Sequence, residues 1–223
     1  MGEWLTIDAA GTNVRGYLAV PTGGSGPGVL VCHAWWGLSD FFTSLCDRLA
    51  AEGFVALAAD MYNGTVVDTI PDAESAAGKL ASEHAEAVVL AGVDALLARP
   101  ELTGDRIATL GFSLGGNWAI HASIERANQV GAAITFYGAA EGDFTNATAS
   151  YLGHFAVGDE WEPETWVRAL ETSLTEAGRD VTFHWYDNAA HWFMEDNRPD
   201  AYNPEAAALA WQRTLNFLRA QLA

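Results

Sequence analysis

One stretch of the chain restricts the fold more than any other. Residues 106–110 are a short apolar run of strand character, residues 111–116 read Gly-Phe-Ser-Leu-Gly-Gly, and a helical pattern runs from 114 to about 126. Strand, tight turn and helix in that order, with the turn reading G-x-S-x-G, is the arrangement of a nucleophile elbow. Its chemistry follows from the residue types. Glycines at 111 and 115 have no Cβ, so neighbouring backbone can come close. The turn lifts the Ser113 hydroxyl above the sheet edge. It also leaves the Leu114 N–H at a helix N-terminus, where it can donate to a developing oxyanion.

The remaining sequence supplies the sheet that such an elbow needs. Strand-like runs occupy residues 3–8, 13–20, 28–32, 54–59, 106–110, 131–137, 151–157 and 181–186. The 28–32 run, GVLVC, is continuously apolar, as expected of a strand buried on both faces. Helical periods fall between the runs, at 39–52, 163–177 and 204–222, and Ser39 or Asp40 can cap the first of these. Residues 61–71 are irregular. Pro71 opens an Ala-rich helical stretch to about 98, which Gly78 and Gly92 can divide, and 61–98 is a candidate partial cap over a pocket. Strands alternating with helices predict one domain over residues 1–223, an α/β fold with a mostly parallel twisted sheet of about eight strands and helices on both faces. The strand order is not readable from this pattern.

A serine needs a base to attack. On this architecture the base is a histidine after the last strand, and its orienting acid follows an earlier strand. Of six histidines only His191 lies in a loop just after the last strand. His154 and His184 fall within strands, and His84 and His121 within helices. His33 ends a strand near the expected oxyanion loop and is read as a pocket-lining residue. Asp159 follows the 151–157 strand through Gly158 and is the expected acid; Glu160, Glu162 and Asp187 are nearby, with Asp187 read as a turn residue. The second oxyanion donor is expected in the loop His33-Ala34-Trp35-Trp36-Gly37, at the Trp35 N–H. Trp36, Trp161 and Trp192 fall on loops at the same edge and predict an aromatic-walled substrate pocket.

Composition removes several classes of function. The formal net charge is −18, from 29 acidic and 11 basic residues. Such a surface repels nucleic acid and anionic lipid. The first residues lack a basic region of the kind a signal peptide carries, and no apolar stretch is long enough to span a bilayer, so a soluble cytoplasmic protein is expected, as a monomer or small homo-oligomer. Cys32 and Cys46 form neither a disulfide framework nor a CxxC pair, no metal-ligand spacing is present, and no cofactor is expected.

Several segments together resemble the dienelactone hydrolase family of α/β-hydrolases, over nearly the whole chain. They are His33-Ala34-Trp35-Trp36-Gly37-Leu38, Ala58-Ala59-Asp60-Met61-Tyr62, the elbow, Phe136-Tyr137-Gly138, Gly158-Asp159-Glu160-Trp161, His184-Trp185-Tyr186, His191-Trp192-Phe193 and the run from Arg213 to Leu218. The resemblance implies the same Ser113, Asp159 and His191 set, acting on a small ester or lactone through an acyl-enzyme. Three departures stand out. The dienelactone-cleaving enzymes have cysteine where this chain has Ser113. They carry a glutamate where it has Ala34. They hold a substrate carboxylate with arginines, whereas this chain has no Arg between 61 and 98 and has Glu195 four residues after His191, with Arg198 the nearest cation in sequence. Thioester or peptide hydrolysis on the same residues, or a non-catalytic binding protein of this fold, are the rival readings. A complete triad argues against the last.

Overall fold

In the computed structural model, which describes residues 2–222, each apolar run becomes a strand. In chain order the elements are β1 (Glu3–Ala9), β2 (Thr12–Ala19), β3 (Gly26–Cys32), α1 (Asp40–Ala51), β4 (Val55–Ala59), α2 (Ile70–Lys79), α3 (Ser82–Leu97), β5 (Leu102–Phe112), α4 (Leu114–Glu125), β6 (Val130–Phe136), β7 (Ser150–Ala156), α5 (Glu164–Glu176), β8 (Val181–Tyr186) and α6 (Pro204–Gln221). They build one eight-stranded sheet in the order β1-β2-β4-β3-β5-β6-β7-β8. β1 pairs antiparallel with β2, and β2 with β4; every other pairing is parallel.

The period of two along the strands decides what lies on each face. On β3, Val29 and Val31 join α1 and α6 through Phe42, Leu45, Leu49, Ala210 and Leu218. Leu30 and Cys32 point the other way, to Val88 and Val93 of α3, Ile120 of α4 and Leu174 of α5. Each fully buried aliphatic side chain here contributes roughly 1.5–3 kcal/mol relative to exposure. β3 and β5 are neighbours at the point where the chain reverses its direction of travel across the sheet. The loops leaving their C-terminal ends diverge there and open a crevice.

The helical stretch after Pro71 does not divide at a glycine. It breaks at Leu80 and Ala81, between α2 and α3. Gly92 lies inside α3 because a Cβ there would sit 2.9 Å from a Leu30 methyl group. The cap reading of 61–98 is therefore corrected. Ser82–Leu97 is a covering helix packed on the sheet, and only 61–80 lies outside that layer. Helix α2 buries little beyond Ala73; Thr69 caps it, accepting the Asp72 N–H and donating to the Asp72 carboxylate at 2.6 Å. Ser39 occupies the N-cap of α1, but its side chain makes no capping bond.

His33 also departs from expectation. It is fully buried, with no surface open to a substrate. Its Nδ1–H donates to the Ala34 carbonyl at 2.7 Å, and its Nε2 accepts the Met61 N–H at 3.0 Å. Burial lowers its pKa and keeps the ring neutral, which this pattern requires. The residue fastens the end of β3 to the end of β4. His33→Ala leaves the Met61 N–H without an acceptor and opens a cavity, and is expected to destabilise the fold by about 3 kcal/mol. Urea unfolding measures this; a loss below about 1 kcal/mol would contradict the cross-link.

Candidate active site

Ser113 occupies the sharp turn between β5 and α4. Its φ of +51° and ψ of −117° put it in strained backbone space. Two contacts hold it there. The Ser113 N–H donates to the Phe136 carbonyl at 2.9 Å, and its own carbonyl accepts the Gly116 N–H at 2.8 Å. The expected glycines are required by space. A Cβ on Gly111 would fall 2.0 Å from the Gly115 carbonyl oxygen, and one on Gly115 would fall 2.2 Å from the Cys32 carbonyl oxygen.

Ser113, His191 and Asp159 come together from three different loops. The Ser113 Oγ lies 2.9 Å from His191 Nε2, and His191 Nδ1 lies 2.7 Å from Asp159 Oδ2. The carboxylate accepts only, so the ring proton is on Nδ1 and the Nε2 lone pair faces the hydroxyl. The second carboxylate oxygen, Oδ1, accepts the Trp161 N–H at 2.8 Å and the Glu162 N–H at 3.1 Å. The His191 and Asp159 side chains are almost wholly buried. Glu162 meets Asp159 through its backbone rather than as a rival acid. Its own carboxyl is pushed up to about 8 by burial, and the Asp159 charge adds to the shift. Asp187 is exposed in a turn beside Asn188, whose φ is +57°.

Neither the Leu114 nor the Trp35 N–H has a hydrogen-bond acceptor among the described residues. The two belong to adjoining segments, because Gly115 packs against the Cys32 and His33 carbonyls immediately before the Trp35 loop. Trp35, Trp36, Trp161 and Trp192 form one cluster, with ring centroids 5.2 to 5.9 Å apart. A cavity of about 560 Å³ lies beside them, lined by Trp36, Trp161, Trp192, Ile70, His191 and Asp159. Ser113 does not line it. Asp68, Glu160 and Asp200 also line it, and Arg198 supplies the one guanidinium of the lining.

Two residues differ from their sequence reading. Glu195 does not present its charge to the cavity; it is fully buried and accepts a hydrogen bond from the Tyr137 hydroxyl at 2.9 Å. Arg198 does reach the cavity wall, but its guanidinium is engaged. It stacks 3.5 Å over the Trp36 ring and donates to the carbonyls of Asp68 at 2.7 Å and Val67 at 3.4 Å. The sequence reading gave Tyr137 no role, yet its ring lies 4.8 Å from that of His191. The available signal was its place at the end of the strand beside the elbow strand. Cys32 and Cys46 are buried thiols; burial pushes Cys32 up to about 12 and raises Cys46 as well, so neither is a ready thiolate. No helix among the described residues is long and apolar enough to cross a membrane.

Comparison with known proteins identifies the family and the fold. A carboxymethylenebutenolidase of Pseudomonas sp. is 30% identical over 231 residues, covering 97% of this chain and 94% of its own. Protein usf of Aquifex pyrophilus is 32% identical over 235 residues, covering all of both chains. Among solved structures, a dienelactone hydrolase-like promiscuous phosphotriesterase from metagenomic libraries superposes with a TM-score of 0.89 at 26% identity, covering 100% of this chain and 99% of its own. The sheet, its helices and the placement of the elbow are those of the α/β-hydrolase fold. The sequence matches the Dienelactone hydrolase family over residues 14–222, and the chain belongs to that family.

Proposed function

We propose that this protein is a serine hydrolase that cleaves small, uncharged carboxylic esters or lactones through an acyl-enzyme. The observation that carries the reading is the hydrogen-bonded row from Ser113 through His191 to Asp159 at the head of α4. The family and the carboxymethylenebutenolidase relatives support the ester or lactone hydrolysis, while the preference for uncharged substrates rests on this chain's own cavity.

In this mechanism the Ser113 hydroxyl attacks the carbonyl carbon while His191 Nε2 takes its proton. The tetrahedral oxyanion receives hydrogen bonds from the Leu114 and Trp35 N–H groups. Asp159 stabilises the imidazolium and keeps the ring oriented without taking the proton. The imidazolium then protonates the leaving alcohol oxygen as the C–O bond breaks. Water, deprotonated by His191, attacks the acyl-enzyme and releases the acid and Ser113. In a lactone, alcohol and acid are two ends of one product.

The preference for uncharged substrates comes from the cavity walls. Trp36, Trp161 and Trp192 offer aromatic surface, three carboxylates stand at the rim, and the single guanidinium is already bonded to backbone carbonyls. A substrate carboxylate would have to displace those bonds to gain a bidentate partner.

Three measurements test the reading. Ser113→Ala is expected to lower kcat on an aryl ester by about 10³-fold or more, and Asp159→Asn by a smaller factor that is still orders of magnitude, with circular dichroism unchanged. Near-normal turnover in Ser113→Ala would remove the nucleophile. A fluorophosphonate should leave one adduct on the Ser113 peptide, whereas iodoacetamide should inactivate slowly because Cys32 and Cys46 are buried. Rapid thiol labelling with loss of activity would transfer the chemistry to cysteine. Finally, kcat/KM should be higher for a neutral aryl ester than for its carboxylate-bearing counterpart with the same leaving group. The comparison is made at low and moderate salt to separate the long-range field from contacts in the cavity. The opposite order would mean that Arg198 leaves Val67 and Asp68 to bind the anion.

A further inference from the structure

Against His191, and outside the lining of the Trp cavity, lies a bonded pair that the mechanism above does not use. Tyr137 is the residue that follows β6. It is fully buried, and its φ of +42° is unusual for a bulky side chain. Its N–H donates to the His154 carbonyl at 2.8 Å, and the carbonyl just before it, on Phe136, accepts the Ser113 N–H. The backbone of Tyr137 is thus fixed by the same strand end that fixes Ser113. Its ring packs 4.8 Å from His191 and 5.5 Å from Phe193, and its hydroxyl reaches Glu195 Oε1 at 2.9 Å.

Glu195 sits four residues beyond His191 in the same loop. It is fully buried, and its second oxygen, Oε2, has no hydrogen-bond partner among the described residues. The turns around it are closed, with the Glu195 N–H on the Trp192 carbonyl and the Arg198 N–H on the Glu195 carbonyl, both at 2.9 Å. Trp192, next to His191, has a φ of +66°. A half-satisfied buried carboxyl and two bulky residues at positive φ all cost stability, and an apolar side chain at 195 would avoid the first of these costs. Such features persist where the surrounding geometry serves a site.

We propose that Tyr137 and Glu195 are positioning residues for His191: the Glu195 carboxyl holds the Tyr137 ring against the imidazole and ties the histidine loop to the end of β6, whose Phe136 carbonyl holds the Ser113 N–H. The proposal rests on the reading of Ser113 and His191 as nucleophile and base.

The pair also carries a pH dependence. The groups facing Glu195 are the Tyr137 hydroxyl from the end of β6 and Arg198 from its own loop; Tyr137 in turn faces His191 and Asp159. Burial pushes the Glu195 carboxyl up to about 8, outweighing the lowering by Tyr137 and Arg198. Below that pH the carboxyl is neutral and accepts from Tyr137 through its carbonyl oxygen. As the pH rises through about 8 the proton leaves, a charge appears in a site closed to water, and the arrangement around His191 is disturbed.

The test uses Tyr137→Phe, Glu195→Met, the double variant and Glu195→Gln, assayed on a neutral aryl ester with active sites counted by fluorophosphonate titration. Tyr137→Phe and Glu195→Met are each expected to lower kcat roughly 10- to 100-fold with KM within about threefold. The double variant should be no worse than the lower single, because one linkage is removed in both cases. Glu195→Gln keeps the acceptor; it should recover most of the loss and abolish the alkaline fall in kcat near pH 8 that the titration of Glu195 predicts for the parent protein. A second readout needs no turnover. In a Ser113→Ala background, the NMR signal of the His191 Nδ1–H proton should stay sharp in Glu195→Gln and broaden by faster exchange in Tyr137→Phe. Parent kcat and an unchanged pH profile in Tyr137→Phe, with only a lower Tm, would overturn the proposal, as would an unaltered Nδ1–H signal. Failure of the hydrolase reading itself shows separately, as turnover that survives Ser113→Ala.

Discussion

The close approach of α4 to the end of β3 is the contact on which the site depends. It is possible because residue 115 has no Cβ, where one would fall 2.2 Å from the Cys32 carbonyl oxygen and 2.4 Å from that of His33. The approach sets the first turn of α4 beside the loop that leaves β3. Ser113, at the head of that helix, is held in strained geometry by β6 on one side and by its own turn on the other. The stacked pair Phe112 and Phe136, with centroids 4.7 Å apart and nearly parallel rings, packs the strand ends beneath it. Such stacking adds roughly 0.5–1.5 kcal/mol beyond area burial, and it sits where the backbone strain has to be resisted.

Much of this was legible from residue order because the information is local. A strand buried on both faces has to be continuously apolar, and GVLVC is. A carboxylate one glycine past a strand has to emerge at the sheet's C-terminal edge, and Asp159 does. What was not legible depends on partners far along the chain. Arg198 bonds to carbonyls 130 and 131 residues away, so its guanidinium looked free in sequence. Glu195 reads in sequence as a charge near His191; only the fold brings Tyr137 across 58 residues to meet it and buries the pair. His33 was misplaced because a strand end can face solvent or interior, and only the turn at Met61 decides which. The break between α2 and α3 follows from where α3 has to lie on the sheet, and helix propensity carries no such information.

Backbone strain is concentrated at the site. Among the described non-glycine residues with positive φ, Ser113, Tyr137 and Trp192 surround or adjoin His191, while Ala10, Asn63 and Asn188 fall in turns or loops. Each strained residue costs of order 1–3 kcal/mol, which the packed strand ends and the tryptophan cluster offset. Arg198 extends this rigidity to the segment leading into α2, since one guanidinium spans Trp36, Val67 and Asp68.

The two oxygens of Asp159 are satisfied over very different distances along the chain. Oδ1 is satisfied by N–H groups two and three residues further along, within a single turn of the chain. Oδ2 waits for His191, 32 residues on, and the serine bond closes across 78 residues. One side of the carboxylate is thus held by its own turn, and the His191 ring meets an acceptor whose direction does not depend on the histidine loop.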